Sequence, residues 1–272
     1  MVRFFLFSVF ACAIVMVGCD KSSKTVAHYT DLSQIPAERW DELSKQRIFF
    51  GHQSVGYNIL EGVQDVQKDH PEIKLAIEEV AEGAPIDKPQ WAHAKVGQNR
   101  DPGLKMQAFD KRIRSNPKPL DIAFLKLCYV DIMADTDVET LFQTYRQVFT
   151  ALERDYPETR FVHLTTPLFE KQSGPKAWVK KIIGRPLYGV DDNIKRFEYN
   201  QMLREAYGST NRLFDLATIE STRPDGTRSS FEKDGKTYYS LVPEYTYDGG
   251  HLNETGRRAV AERLLLFLSN LD

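Results

Sequence analysis

The sequence predicts a three-layer α/β/α domain built on a mostly parallel five-stranded sheet. Two patterns carry that expectation. Short apolar runs alternate with stretches whose apolar residues recur at helical spacing. One of those runs, Asp121 to Val130, is nearly all apolar, as a central parallel strand covered on both faces must be. The 272 residues suit one large domain or two small ones, and a hydrophobic share of 42% is enough for an ordinary globular core.

Taken in order, Arg47 to Phe50 reads as the first strand, and Val55, Ile59, Val63 and Val66 mark a helix after it. Lys74 to Val80 is the expected second strand and Asp121 to Val130 the third. Leu141, Tyr145, Val148 and Leu152 follow at helical spacing. Arg160 to Leu164 and Arg212 to Leu216 complete the sheet, with a helix around Phe197 to Tyr207 between them. Asn253 is a good N-cap for a last helix whose apolar face carries Val260, Leu264, Leu268 and Leu271. Two long connections, Thr166 to Asp192 and Ser221 to Tyr247, follow strands and belong at the carboxyl edge of the sheet, where open α/β folds bind ligands. They are expected to wall or cover a site, the second as a hairpin around Lys233-Asp234-Gly235-Lys236.

The N-terminus is different in kind. Arg3 precedes an apolar run from Phe4 to Val17, interrupted only by Ser8, that is short for a membrane span and suits a signal peptide. The run ends in Met16-Val17-Gly18-Cys19, which resembles a bacterial lipobox, so residues 1–19 are expected to be a lipoprotein signal peptide with Cys19 the lipidated residue. Residues 20–36 then form a polar tether and residues 37–272 the folded domain. Export and a lipid anchor would place the chain at a bacterial cell envelope, on the periplasmic or extracellular side. Cys12 would leave with the signal, so Cys128 is the single cysteine of the domain and no intramolecular disulfide is expected. The formal charge of -2 is spread without long like-charge runs, which argues against a nucleic-acid partner.

The chemistry concentrates near the C-terminus, in Asp248-Gly249-Gly250-His251-Leu252-Asn253-Glu254-Thr255-Gly256. A carboxylate three residues before a histidine can hold an acid and a base over a serine hydroxyl, which is a poor nucleophile until a base takes its proton. Ser54, in Gly51-His52-Gln53-Ser54-Val55-Gly56 at the end of the first strand, is the candidate nucleophile. Its own N–H would face a developing oxyanion, assisted by the positive end of the following helix. An ordinary turn aspartate before a capped helix is the alternative for Asp248. His52 reads as a packed or hydrogen-bonding side chain, and Cys128 as buried core. No His-x-x-x-His or paired-cysteine pattern is present, so neither a metal nor another cofactor is expected.

On these residues the chain resembles the SGNH/GDSL hydrolase superfamily, strongly over Asp248 to Gly256 and moderately over Gly51 to Gly56. The resemblance implies a flavodoxin-like α/β/α fold, Ser54, His251 and Asp248 as a catalytic triad, and an oxyanion hole. Gly51-His52-Gln53-Ser54 stands where the superfamily has Gly-Asp-Ser. Val96-Gly97-Gln98-Asn99-Arg100-Asp101-Pro102-Gly103 resembles its second block, with Gly97 as backbone donor. The third block, Gly-x-Asn-Asp, is replaced by Lys126-Leu127-Cys128-Tyr129-Val130-Asp131. Asn99 is therefore expected to supply the missing amide, making Ser54, Gly97 and Asn99 the oxyanion hole; a plain turn residue is the equal alternative. The resemblance implies a serine esterase acting on a small acyl group, such as acetyl, on a carbohydrate or related ester. Acyl transfer to a cell-envelope polysaccharide and a non-catalytic binding lipoprotein on the same fold stay open. So does the role of Trp91, Trp178, Tyr238, Tyr239, Tyr245 and Tyr247, which either stack on sugar rings or pin loops to the core.

Overall fold

The computed structural model describes residues 28–183, 185 and 187–271. Its centre is a six-stranded sheet in the order β2-β3-β1-β4-β5-β6, parallel throughout. The strands are β1 (Arg47–His52), β2 (Ile77–Glu79), β3 (Gln90–Lys95), β4 (Ile122–Leu125), β5 (Arg160–Leu164) and β6 (Leu213–Phe214). The expected parallel α/β architecture is what the chain adopts, with one strand more than the five expected.

The layers follow from strand periodicity, which sends alternate side chains to opposite faces. Ile48 and Phe50 of β1 join one core with Phe124, Val162 and Phe214. That core is covered by α1 (Ala37–Ser44), α2 (Val55–Asp69) and α8 (Glu254–Ser269). Phe49 points the other way, into a second core with Ala123 and Leu125. Helices α3 (Pro102–Ser115), α4 (Val138–Asp155) and α6 (Asp191–Tyr207) close that face. Two shorter helices flank or fill the two long connections: α5 (Gly174–Ile182) lies within the first, and α7 (Leu216–Ser221) leads into the second. The expected hairpin forms as β7 (Ser230–Lys233) against β8 (Lys236–Tyr239), and Tyr238 packs its ring 5.2 Å from that of Phe197 on α6.

Three expectations are corrected. Strand β3, absent from the sequence reading, lies between β2 and β1 although its residues Gln90-Trp91-Ala92-His93 mix polar and apolar types; all four are buried. The strand expected over Asp121 to Val130 ends at Leu125, because the Asp131 carboxylate accepts the Cys128 N–H at 2.6 Å and turns the chain into a 3₁₀ turn over Tyr129–Asp131. The tether expected over residues 20–36 does not extend through 28–36. There Leu32 and Ile35 are buried, and Tyr29 exchanges two hydrogen bonds with the Asn270 side chain at 2.8 and 3.0 Å. The signal peptide and Cys19 lie outside the described residues.

Helices α2 and α8 pack closely enough that a Cβ on Gly62 would sit 2.3 Å from the Arg257 carbonyl oxygen. Arg257 also reaches across to Asp65 and Glu61, and Arg258 to Asp69. We expect Gly62→Ala to lower the unfolding free energy by ~1–3 kcal/mol through this overpacking. A urea titration checks it, and an unchanged midpoint would contradict the close helix contact.

Candidate active site

Both helices of that pair begin at the carboxyl edge of the sheet, and each is preceded by a candidate residue. Ser54 is the residue before α2 and adopts φ 49 and ψ −107, a backbone conformation that a non-glycine residue holds only when its surroundings impose it. Its hydroxyl does not cap the helix; it bonds His251 Nε2 instead. His251 Nδ1 lies 2.7 Å from Asp248 Oδ2, and Asp248 Oδ1 accepts the N–H groups of His251 at 2.8 Å and Gly250 at 3.0 Å. With the carboxylate as acceptor, the ring proton belongs on Nδ1, which leaves Nε2 to accept from Ser54 Oγ–H.

The turn that holds Asp248 is itself held. Thr246 Oγ1 accepts the Gly249 N–H at 2.9 Å, and Asn253 caps α8 through Gly256 N. Gly250 is required by proximity, since a Cβ there would meet the Tyr129 ring at 2.6 Å. Tyr129 in turn places its ring 6.0 Å from that of His251, and its carbonyl oxygen accepts from Nε of buried Arg196 at 2.8 Å. Partial burial pushes the Asp248 carboxyl up, but the N–H donors from His251 and Gly250 outweigh it and hold it at about 2. It is ionised at neutral pH.

Gly97 and Asn99 lie on the loop between β3 and α3. That loop is tied to the nucleophile turn by Gln53, whose Nε2 donates to Val96 O at 3.0 Å and Gly97 O at 2.7 Å. Gly97 has φ +59, and a Cβ would meet the backbone nitrogen of Lys105 at 2.5 Å, so the loop and the first turn of α3 admit no side chain here. Among the described residues neither the Ser54 N–H nor the Gly97 N–H has a hydrogen-bond partner. Asn99 has no hydrogen bond to Ser54 or His251 among the described residues. Its Oδ1 accepts from Lys105 Nζ at 2.8 Å, which leaves the Nδ2 amide as the unbonded end.

Lys105, which the sequence reading passed over, organises this side of the site. It is fully buried and pairs with Asp131 at 2.5 Å. Asp131 also accepts the backbone N–H groups of Arg100 at 2.8 Å and Cys128 at 2.6 Å, so one carboxylate joins three segments. A signal was present: Lys105 lies in phase with Phe109 and Ile113 on the buried face of α3, where a lysine needs a partner. Cys128 is buried, as expected, but in the loop after β4 rather than in a strand, 3.2 Å from the buried Lys126 ammonium. Of the aromatic residues weighed as sugar platforms, Trp91, Tyr238 and Tyr245 are core, whereas Trp178 and Tyr247 are exposed.

Two cavities flank the site. A groove of about 790 Å³ begins at Gly97 and Gln98 and runs along α3 past Leu104, Ala108 and Lys111 to Ser115. On the opposite side, a pocket of about 460 Å³ lies between Asp248 and Tyr188, with Phe169 and Gln172 in its wall. The first long connection therefore borders the site, as expected of it.

No protein-family model and no curated protein matches the chain. Solved structures do. A chain from Streptococcus pneumonia, provisionally described as a platelet activating factor, aligns with a TM-score of 0.51 at 18% identity, over 87% of this chain and 94% of that one. The likeness is one of fold. Alignments at lower TM-scores include a chain of Desulfitobacterium hafniense assigned provisionally as a lipolytic protein of the G-D-S-L family (0.46, 12% identity, 80% and 96% covered). Another is the periplasmic domain of a lipopolysaccharide acetyltransferase from Salmonella ser. Paratyphi A (0.44, 11% identity, 88% and 90% covered).

Beneath Ser54, His52 is wholly buried, with Nε2 3.1 Å from His93 Nδ1. Burial above all, then the nearby Lys126, His93 and Lys95, depresses its pKa from 6.5 to about 2, so it stays neutral in the folded chain. The unfolded chain binds the extra proton below pH 6.5, so the stability contributed by neutral His52 is complete above that pH and is lost as pH falls toward 2. We expect the unfolding free energy to fall on acidification from pH 6.5, and His52→Gln to make the slope shallower by up to ~1.4 kcal/mol per pH unit. Urea titrations at several pH values check this; parallel pH profiles for the two proteins would contradict it.

Proposed function

We propose that this chain is a divergent SGNH/GDSL-type serine esterase, lipid-anchored through Cys19 at a bacterial cell envelope, that removes a small acyl group such as acetyl from a carbohydrate or related ester. The observation that carries the reading is the continuous hydrogen-bonded path from Ser54 Oγ through His251 to Asp248, placed on a strained strand-to-helix turn. A structural turn aspartate has no need of that path.

In the proposed reaction Ser54 Oγ attacks the ester carbonyl carbon while its proton passes to His251 Nε2, and Asp248 stabilises the resulting imidazolium. The carbonyl oxygen, now carrying the negative charge, takes the unpartnered N–H groups of Ser54 and Gly97 and the Nδ2 amide of Asn99. Lys105 positions that amide by holding the opposite end of the side chain. The C–O bond to the alcohol then breaks, and the leaving oxygen takes the proton from His251. Water, deprotonated by the same histidine, cleaves the acyl-serine and regenerates the enzyme. The groove along α3 is lined by apolar Val80, Val96 and Leu104 together with polar Glu79, Lys95 and Gln107, which suits an alcohol portion larger than the acyl group.

The test is hydrolysis of p-nitrophenyl acetate and of an O-acetylated polysaccharide, with and without a sugar acceptor. Ser54→Ala should fall to background. Asn99→Ala should lower kcat ~10²–10³-fold, equivalent to ~2.7–4 kcal/mol of barrier, with little change in KM. Full turnover by a folded Asn99→Ala chain would remove the amide from the mechanism, and acyl groups recovered on the acceptor would redirect the reading to transfer.

A further inference from the structure

Helix α5 turns its apolar side outward. Trp178, Val179 and Ile182, with Ile183 just past the helix end, are 66%, 50%, 63% and 57% exposed. At about 100° per residue these positions form one contiguous stripe, while Ala177 lies on the far side and is buried against the domain. Single exposed apolar residues are ordinary; four in one stripe, beginning with a tryptophan, mark an interaction surface. The charge of the segment that carries the stripe is one-signed. Between Glu170 and Asp191 the chain carries Lys171, Lys176, Lys180, Lys181 and Arg185 and no acidic residue, in a protein whose formal charge is -2.

We propose that α5 is a membrane-surface contact that seats on an anionic lipid bilayer, its tryptophan and isoleucines at the acyl boundary and its basic residues among the headgroups. An amphipathic helix with Trp on one face and Lys or Arg on the other has the composition that interfacial binding requires. The helix has 9 residues and spans only ~14 Å, so it lies on the bilayer rather than across it. It is held in place with its apolar side out, because Lys180 Nζ bonds Gln172 Oε1 at 2.9 Å and lies 3.9 Å over the Tyr188 ring.

The proposed anchor is compatible with this seating. Tyr29 is fastened at the far end of α8, whose 16 residues span ~24 Å. Residues 20 to 28 reach at most ~30 Å, so a lipid on Cys19 and α5 can engage the same leaflet. The seated helix would bring the pocket between Tyr188 and Asp248 to the bilayer surface. The membrane contact itself does not depend on the esterase reading.

Trp40 and Trp91 are each 1% exposed, so Trp178 is the tryptophan that reports contact. The full chain would be mixed with vesicles of phosphatidylcholine and phosphatidylglycerol whose acyl chains are brominated, with Trp178→Phe as the blank. We expect the Trp178 emission, taken as the difference between the two proteins, to be quenched at least about twofold in anionic vesicles and much less in pure phosphatidylcholine. No quenching, whether or not the chain floats with the vesicles, would overturn the proposal. Equal quenching in neutral vesicles would overturn its electrostatic part. A blue-shifted Trp178 in a lipid-independent dimer would reassign the stripe to self-association. Ester turnover by Ser54 is read separately and moves with none of these outcomes.

Discussion

The packing of α2 against α8 is the constraint on which the candidate site rests. Ser54 and His251 are far apart in the chain; Ser54 directly precedes α2, and His251 lies three residues before α8. Gly62 lets the helix backbones approach, and the Asn58 side chain accepts the Leu252 N–H at 3.2 Å across the same contact. Once the two helices are seated on one face of the sheet, their first turns lie side by side at the carboxyl edge of β1. The hydroxyl and the imidazole then meet without any long-range device of their own. The cost appears as the positive φ of Ser54, where the chain must leave a central strand and enter a helix within a few residues.

The opposite wall of the site is organised by charge rather than by helix packing. Asp131 and Lys105 are both fully buried as side chains, and removing one partner of such a pair typically costs ~3–5 kcal/mol because the other charge is stranded. Asp131 fixes the loops that carry Arg100 and Cys128, and Lys105 orients Asn99. This arrangement occupies the loop after β4, where the proposed reading would otherwise look for a Gly-x-Asn-Asp block. A lysine and an aspartate shape the loop, and the proposed amide comes from the neighbouring strand end. Behind them, burial raises Glu220 to about 8 against the lowering influence of the Leu168 N–H and of Lys126 and Arg196.

Elements with strong local signals were legible. Arg160 to Leu164 forms the strand expected of it, and the hairpin around Asp234-Gly235 forms where the turn residues place it. Ser54, Asp248 and His251 were singled out because the proposed chemistry needs fixed spacing and fixed places relative to strand and helix, and the folded chain brings the three into one hydrogen-bonded path. What escaped depended on tertiary context. Strand β3 carries Gln90 and His93 inside the sheet, and no apolar run announces it. The segment from 28 to 36 looks like tether because its polar residues outnumber Leu32 and Ile35, yet those two and the Asn270 side chain are enough to dock it. Asp131 stands at the end of the segment that replaces the third block, but its partner Lys105 lies on α3 and only the folded chain joins them.

The central claim is that Ser54 is an activated nucleophile. The most direct measurement is intact-protein and peptide mass spectrometry after treatment with a fluorophosphonate, on the wild-type chain, Ser54→Ala and His251→Ala. The account predicts one adduct, on the peptide containing Ser54, absent from Ser54→Ala and strongly diminished in His251→Ala. An adduct elsewhere, or none on a folded chain, would contradict it and leave a binding protein on a hydrolase-like fold.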